Sequence, residues 1–148
     1  MATTYSVSLD KVIKELSLET IYMPSDPEKI LITSTDVNRP GLELNGFYDY
    51  YDTSRIIVFG NAETAFLNDS PVENRKNVLD EIFSKQPPAV IIARKLDPVP
   101  ELMEATKKYG VPVLTTADTT SSLVASLVAY MNVELAPVSY THLTLPTN

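Results

Sequence analysis

The sequence predicts an α/β protein, a largely parallel or mixed sheet of about five strands packed between helices. Two observations carry this expectation. The runs RIIVFG (residues 55–60) and PAVIIAR (88–94) are almost continuously apolar, the pattern of strands covered on both faces. In the second half, such runs alternate with stretches of helical periodicity, and parallel neighbours require crossover connections of that kind.

The elements follow in order. In SVSLDKVIKEL, Leu9, Val12, Ile13 and Leu16 fall at i, i+3, i+4 and i+7, which makes a short amphipathic helix with Ser8 placed to cap it. ETIYM (19–23) and KILITS (29–34) are β-branched and apolar, separated by the turn residues SDPE, and read as two strands. TDVNRPGLELNGFYDYY (35–51) reads as a turn leading into a short helical segment. Asp36 and Asn38 are turn formers, Pro40 pushes Arg39 into an extended conformation, and Gly41 permits a backbone turn that other residues resist. Leu42, Leu44, Phe47 and some of the tyrosines would then enter the core.

After the strand at 55–60, a helix is expected from Ser70, with Ser70 as cap, Pro71 in the first helical position and Glu73 completing a capping box. Its buried stripe would be Val78, Leu79, Ile82 and Phe83. Beyond the strand at 88–94, Pro100 opens a helix with Leu102, Ala105, Thr106 and Tyr109 on one face, two lysines in its last turn and Gly110 just past its end. A strand at 111–116 precedes a final helix near 120–135, with Leu123, Val124, Leu127, Val128 and Met131 on one face. Residues 1–137 form one domain in this reading. The tail VSYTHLTLPTN (138–148) continues no periodicity and is expected to be unrelated to the domain and disordered.

Composition narrows the function. A chain of 148 residues that is 44% hydrophobic and 21% charged suits a single soluble domain. Its net charge of -7 repels a phosphate backbone, so nucleic acid is not an expected partner. No apolar stretch approaches a membrane span, and the absence of cysteine suits a cytoplasmic location and excludes thiolate metal sites. The one histidine, His142, lies in the tail, so neither a Ser-His nucleophile nor a histidine metal site is expected in the folded body. The carboxylate pairs Asp49/Asp52 and Glu101/Glu104 read as solvated surface acids.

Gly41 and Gly46 have the spacing of a phosphate-binding G-x-x-x-x-G loop, but Phe47 and Tyr48 follow where lysine and a hydroxyl residue are needed. A G-x-G-x-x-G fingerprint is also missing from the sequence. No catalytic, cofactor-binding or metal-ligating residue is assigned. The candidates for a ligand or interface are Asp36, Arg39, Gly41, Tyr48, Tyr50 and Tyr51, since arginine and tyrosine are favoured in contact surfaces.

The stretch TSTDVNRPGLELNGFYDYYDTSRIIVFGNAETAFL (33–67) closely resembles the N-terminal domain of HPr kinase/phosphorylase. That family carries a Ser-Asp-x-x-Arg-Pro-Gly-Leu stretch, a Gly-aromatic-aromatic-Asp-aromatic stretch and an Arg-Ile-x-x-x-Gly strand. Thr35 stands where the family usually has serine. The resemblance continues through PAVIIARKLDPVPELMEATKKYGVPVLTT to ELAP at Pro137, and beyond it the sequence departs from the family's continuation into a kinase domain. The tail is therefore expected to be a foreign or mistranslated end to a truncated reading frame.

The resemblance implies a bacterial enzyme that phosphorylates a seryl hydroxyl of the phosphocarrier protein HPr with ATP and Mg2+ and removes the phosphate by phosphorolysis, in carbon catabolite regulation. It also implies a homohexamer. The reacting groups belong to the kinase domain, so this chain is expected to be inactive alone, with no cofactor of its own.

The domain is similar, too, to the N-terminal domain of the Mur ligases, which bind UDP-sugars. Through that likeness Asp36, Arg39 and Gly41 are candidates to hold an anionic ligand, an arginine fork and backbone N–H groups being suited to phosphate. The alternative function is accordingly a stand-alone nucleotide- or metabolite-binding or protein-interaction module.

Overall fold

The computed structural model describes residues 5–136. The expected domain boundary at 137/138, the tail and His142 lie outside the described residues. Among the described residues, seven strands and six α-helices are laid down in the order β1 (Val7–Ser8), α1 (Leu9–Leu16), β2 (Glu19–Tyr22), β3 (Leu31–Ile32), β4 (Val37–Asn38), α2 (Gly41–Leu44), β5 (Ile56–Phe59), α3 (Asn61–Asp69), α4 (Val72–Ser84), β6 (Val90–Ile92), α5 (Pro100–Tyr109), β7 (Val113–Thr115) and α6 (Thr120–Glu134).

The main sheet has five strands in the order β2-β7-β6-β5-β4. Strands β4 to β7 are parallel, and β2 runs antiparallel along β7. The sheet is therefore mixed and largely parallel, as the apolar runs and the strand–helix alternation predict.

Side chains of a strand alternate between faces, and here both faces are apolar. Ile56, Val58, Ile91 and Leu114 enter one core with Leu9 and Val12 of α1 and Leu123, Leu127 and Met131 of α6. Ile57, Phe59, Val90, Ile92 and Val113 enter a second core with Leu44, Leu67, Leu79, Ile82, Phe83 and Leu102. The continuous apolar runs are thus explained by two helical layers, one on each side. Ser8 caps α1 as expected, accepting a hydrogen bond from the Lys11 N–H at 3.2 Å. Gly110, at φ 68°, ends α5 in the left-handed conformation.

The structure departs from the sequence reading at several points. Residues 29–34 do not form a strand of the main sheet. Asp26 caps a 3₁₀ turn at Pro27–Lys29, and of the stretch only Leu31–Ile32 forms a strand, paired with β1 in a separate antiparallel ribbon. The fifth strand of the sheet comes instead from Val37–Asn38, read above as part of a turn. Two parallel pairs, Val37 with Ile56 and Asn38 with Ile57, bind it to β5, and the Asn38 side-chain amide donates to the Asp52 carbonyl at 2.7 Å.

Ser70 does not cap α4. It closes α3, donating its hydroxyl to the Phe66 carbonyl at 2.7 Å, and Pro71 takes the cap position without a side-chain hydrogen bond. Of the apolar residues between 42 and 47, only Leu44 is buried. Leu42 and Phe47 face solvent.

The special glycine of this region is Gly46, not Gly41. Gly46 has φ 88°, whereas Gly41 opens α2 outside the left-handed region, with open space around the position a Cβ would take. Gly46→Ala is expected to cost about 1 kcal/mol through left-handed strain, and Gly41→Ala to change stability by less than about 0.5 kcal/mol. Paired thermal melts check this, and a larger loss at Gly41 than at Gly46 contradicts it.

Candidate functional site

Arg39 leaves the C-terminal end of β4, and Glu63 lies in the first turn of α3, which begins where β5 ends. The two parallel strands bring these ends side by side. The guanidinium grips the carboxylate with a two-pronged fork, Nε to Oε2 at 2.9 Å and Nη2 to Oε1 at 3.0 Å. Glu63 Oε1 also accepts the Gly60 N–H at 2.8 Å. Glycine has no side chain for the reciprocal bond, so Glu63 supplies one half of a capping box across the strand–helix turn.

The Glu63 side chain is only 6% exposed. Burial on its own raises a carboxyl pKa, but the Arg39 fork and the backbone amides outweigh it and hold Glu63 below the ordinary glutamate value of 4.5. Glu63 was not among the residues singled out from the sequence, although its position three residues after Gly60 is the capping-box spacing that could have found it.

The other sequence candidates divide into separate groups. Asp36 is exposed and pairs with Arg55 at 3.6 Å, and Arg55 also meets Asp52 at 3.3 Å. Asp36 does not join Arg39 in a common cradle among the contacts described. Tyr51 is partly buried, and its hydroxyl donates to the Ile82 carbonyl of α4 at 2.8 Å. Burial first, and the charge of Glu43 second, push its ionisation far above the tyrosine range.

Tyr48 is shifted upward more mildly, by burial and then by Glu81 and Glu43. Tyr50 projects into solvent beside Phe47, with ring centroids 5.8 Å apart. The segment therefore has an inner side, Leu44 and Tyr51, that ties it to α4, and an outer side, Leu42, Phe47 and Tyr50.

The chemistry available here is limited. An arriving phosphate would have to compete with a bidentate, buried carboxylate for Arg39. Among the described residues no group of three or more His, Cys, Asp or Glu side chains is arranged to hold a metal ion. No helix among them is long and apolar enough to cross a membrane.

Residues 7–131 match the family model described as HPr Serine kinase N terminus. The chain belongs to that family. It is 36% identical to the HPr kinase/phosphorylase of Caldicellulosiruptor bescii over 95% of its own length and 45% of that protein. It is 38% identical to those of Streptococcus uberis, over 93% of this chain and 44% of the relative, and Clostridium novyi, over 92% and 44%. The chain thus spans less than half the length of these curated relatives.

Among solved structures, it resembles the CBS and DRTGG domains of the regulatory region of a Clostridium perfringens pyrophosphatase, complexed with its activator diadenosine tetraphosphate. The TM-score is 0.58 at 18% identity, covering 82% of this chain and 46% of that one. At that identity the likeness concerns the fold alone.

Proposed function

We propose that this chain serves as the N-terminal, non-catalytic domain, residues 1–137, of an HPr kinase/phosphorylase. The observation that supports this most is the family match across residues 7–131, together with relatives that are more than twice as long. In this reading the longer protein transfers phosphate from ATP, with Mg2+, to a seryl hydroxyl of HPr and removes it by phosphorolysis, acting in the bacterial cytoplasm as a homohexamer in carbon catabolite regulation.

The P-loop and its lysine, the metal-binding acids and the general base belong to the part of the relatives outside the match. This domain contributes a rigid α/β body and a contact surface. The engagement of Arg39 by Glu63 favours that surface role over an anion site, because two faces of the guanidinium fork, Nε and Nη2, are already committed to a buried carboxylate.

The test is an assay of HPr seryl phosphorylation with ATP and Mg2+, run with the 148-residue chain and with a longer polypeptide in which residues 1–137 continue into the family's second domain. The longer form is expected to be active and the short chain to show no turnover above background. Turnover by the short chain itself would overturn the assignment.

A further inference from the structure

Helix α6 has an outer side unlike those of the other long helices. Between Thr119 and Val133 the sequence has no charged residue, whereas α4 and α5 expose lysines and carboxylates to solvent. Leu123, Leu127 and Met131 of α6 enter the core. On a second face, Ser126, Ala129, Tyr130 and Val133 recur at i, i+3, i+4 and i+7 and form one wall of a groove of about 710 Å³, whose other wall is the C-terminal end of α1. Val133 is 73% exposed.

The charge in this groove is of one sign. Glu15 of α1, Glu134 at the end of α6 and Asp118 ahead of its first turn line it, and no lysine or arginine does. None of the three carboxylates belongs to an ion pair among the described residues. Burial first, and then the charges of Glu134 and Glu15, raise the ionisation of the Tyr130 hydroxyl above the ordinary tyrosine value. Two helices therefore converge their carboxylates on one half-buried aromatic side chain, and Leu16, half-buried on the same core, lines the groove with it.

Most of the lining is exposed, so the groove is an open trough, which suits a polypeptide segment better than an enclosed small molecule. From Asp118 to Glu134 it follows α6 for about 24 Å at 1.5 Å per residue. A second copy of the chain does not fit. Whether the two α6 helices ran antiparallel or parallel, a two-fold contact would set Glu134 on Asp118 or on its own equivalent, and would join two bodies of net charge -7. Nucleic acid and anionic bilayers are repelled by the same charge.

The course of the chain indicates the occupant. Helix α6 is the last element described, and it ends at Glu134, in the wall of the groove. The match is to the N terminus of the family, and the relatives have more than half of their length outside it. Consecutive elements of a chain usually pack side by side. Whatever follows α6 in the longer protein thus starts beside a trough with an apolar floor and a negative rim.

We propose that the segment following this domain in the longer protein turns back along α6 and lies in the α1/α6 groove, with a lysine or arginine between Glu15 and Glu134 and apolar side chains on Tyr130 and Val133. The proposal rests on the reading of this chain as the head of a longer kinase/phosphorylase. Apolar contact holds the segment, and the charge pairs set its register.

The test uses the longer polypeptide in which residues 1–137 continue into the family's second domain, purified with a photo-crosslinking Val133→p-benzoylphenylalanine substitution. The expected product keeps the mass of one chain under denaturing conditions and joins position 133 to a Lys- or Arg-containing peptide that follows residue 137. Its yield should fall about tenfold when Glu15→Gln and Glu134→Gln are combined, which keeps the shape and removes the charge. Both carboxylates are exposed, so the melting temperature of this domain in the 148-residue chain should stay within about 2 °C of the unsubstituted value.

A product with the mass of two chains, a peptide without a basic residue, no crosslink, or a yield unmoved by the double variant overturns the proposal. If the longer polypeptide phosphorylates HPr while giving any of these results, only this inference fails. If it folds but does not phosphorylate HPr, the underlying reading fails and takes the inference with it.

Discussion

Gly60→Ala is expected to destabilise the domain by about 2 to 3 kcal/mol, lowering the thermal midpoint by roughly 4 to 12 °C for a domain of this size. The reason is proximity, not backbone freedom. Gly60 has φ -126° and ψ -159°, a conformation open to any residue. A Cβ there would collide with Thr120 Oγ1 and lie 2.9 Å from its Cγ2 and 3.1 Å from its Cβ. The end of β5 and the start of α6 are pressed together, so one methyl group forces α6 or α3 to move.

Thr120→Ala removes the two nearest atoms and leaves only the 3.1 Å contact. The cost of Gly60→Ala measured in the Thr120→Ala background should therefore drop by 1 kcal/mol or more on a scale of about 1 to 3 kcal/mol for such overpacking. Equal costs in the two backgrounds would show that Thr120 is not the obstacle.

Arg39→Ala is expected to cost about 3 kcal/mol at neutral pH, because it leaves the Glu63 carboxylate buried and without its counter-charge. Removing both groups, as in Arg39→Leu with Glu63→Leu, should cost less than either single change, since the isolated charge is the source of the penalty.

The pH dependence has a definite sign. In the native protein Glu63 is held below 4.5, so its stabilising contribution is present above that value and is lost as pH falls through the depressed folded pKa. In Arg39→Ala the fork is gone, burial dominates, and the Glu63 pKa moves upward. Acidification then relieves the variant before it weakens the native protein. The stability gap in denaturant melts should narrow between pH 7 and pH 5, and a gap that is constant or widens would contradict the clamp.

The parts of the fold that were legible in the sequence are those in which the buried face is purely apolar. Ile56 to Phe59 and Val90 to Ile92 read directly as strands because helices cover both of their faces. Helices α4, α5 and α6 were visible through stripes such as Leu79, Ile82 and Phe83. Helix α3 was hidden because its buried residues are Glu63 and Leu67. A carboxylate facing inward erases the hydrophobic period, and the distant Arg39, with the Gly60 N–H, makes that position tolerable.

For a similar reason Arg39 was legible as special but not as a clamp, since its partner is 24 residues away in sequence. Strand β4 is two residues long and held by its pairing with β5, a tertiary contact that local propensity does not report. The glycine question was decided by φ. Both Gly41 and Gly46 fit a turn by composition, and only Gly46 occupies the left-handed region.

The central claim is that this chain is the N-terminal domain of a longer HPr kinase/phosphorylase, and the most direct measurement is the sequence of its encoding locus from codon 130 onward over several hundred bases. The account predicts that a reading frame in continuity with the domain, or resuming just downstream, encodes G-x-x-x-x-G-K-[ST] within a length comparable to that of the relatives. A verified stop with no such frame beyond it would contradict the claim and make the domain a module that acts alone.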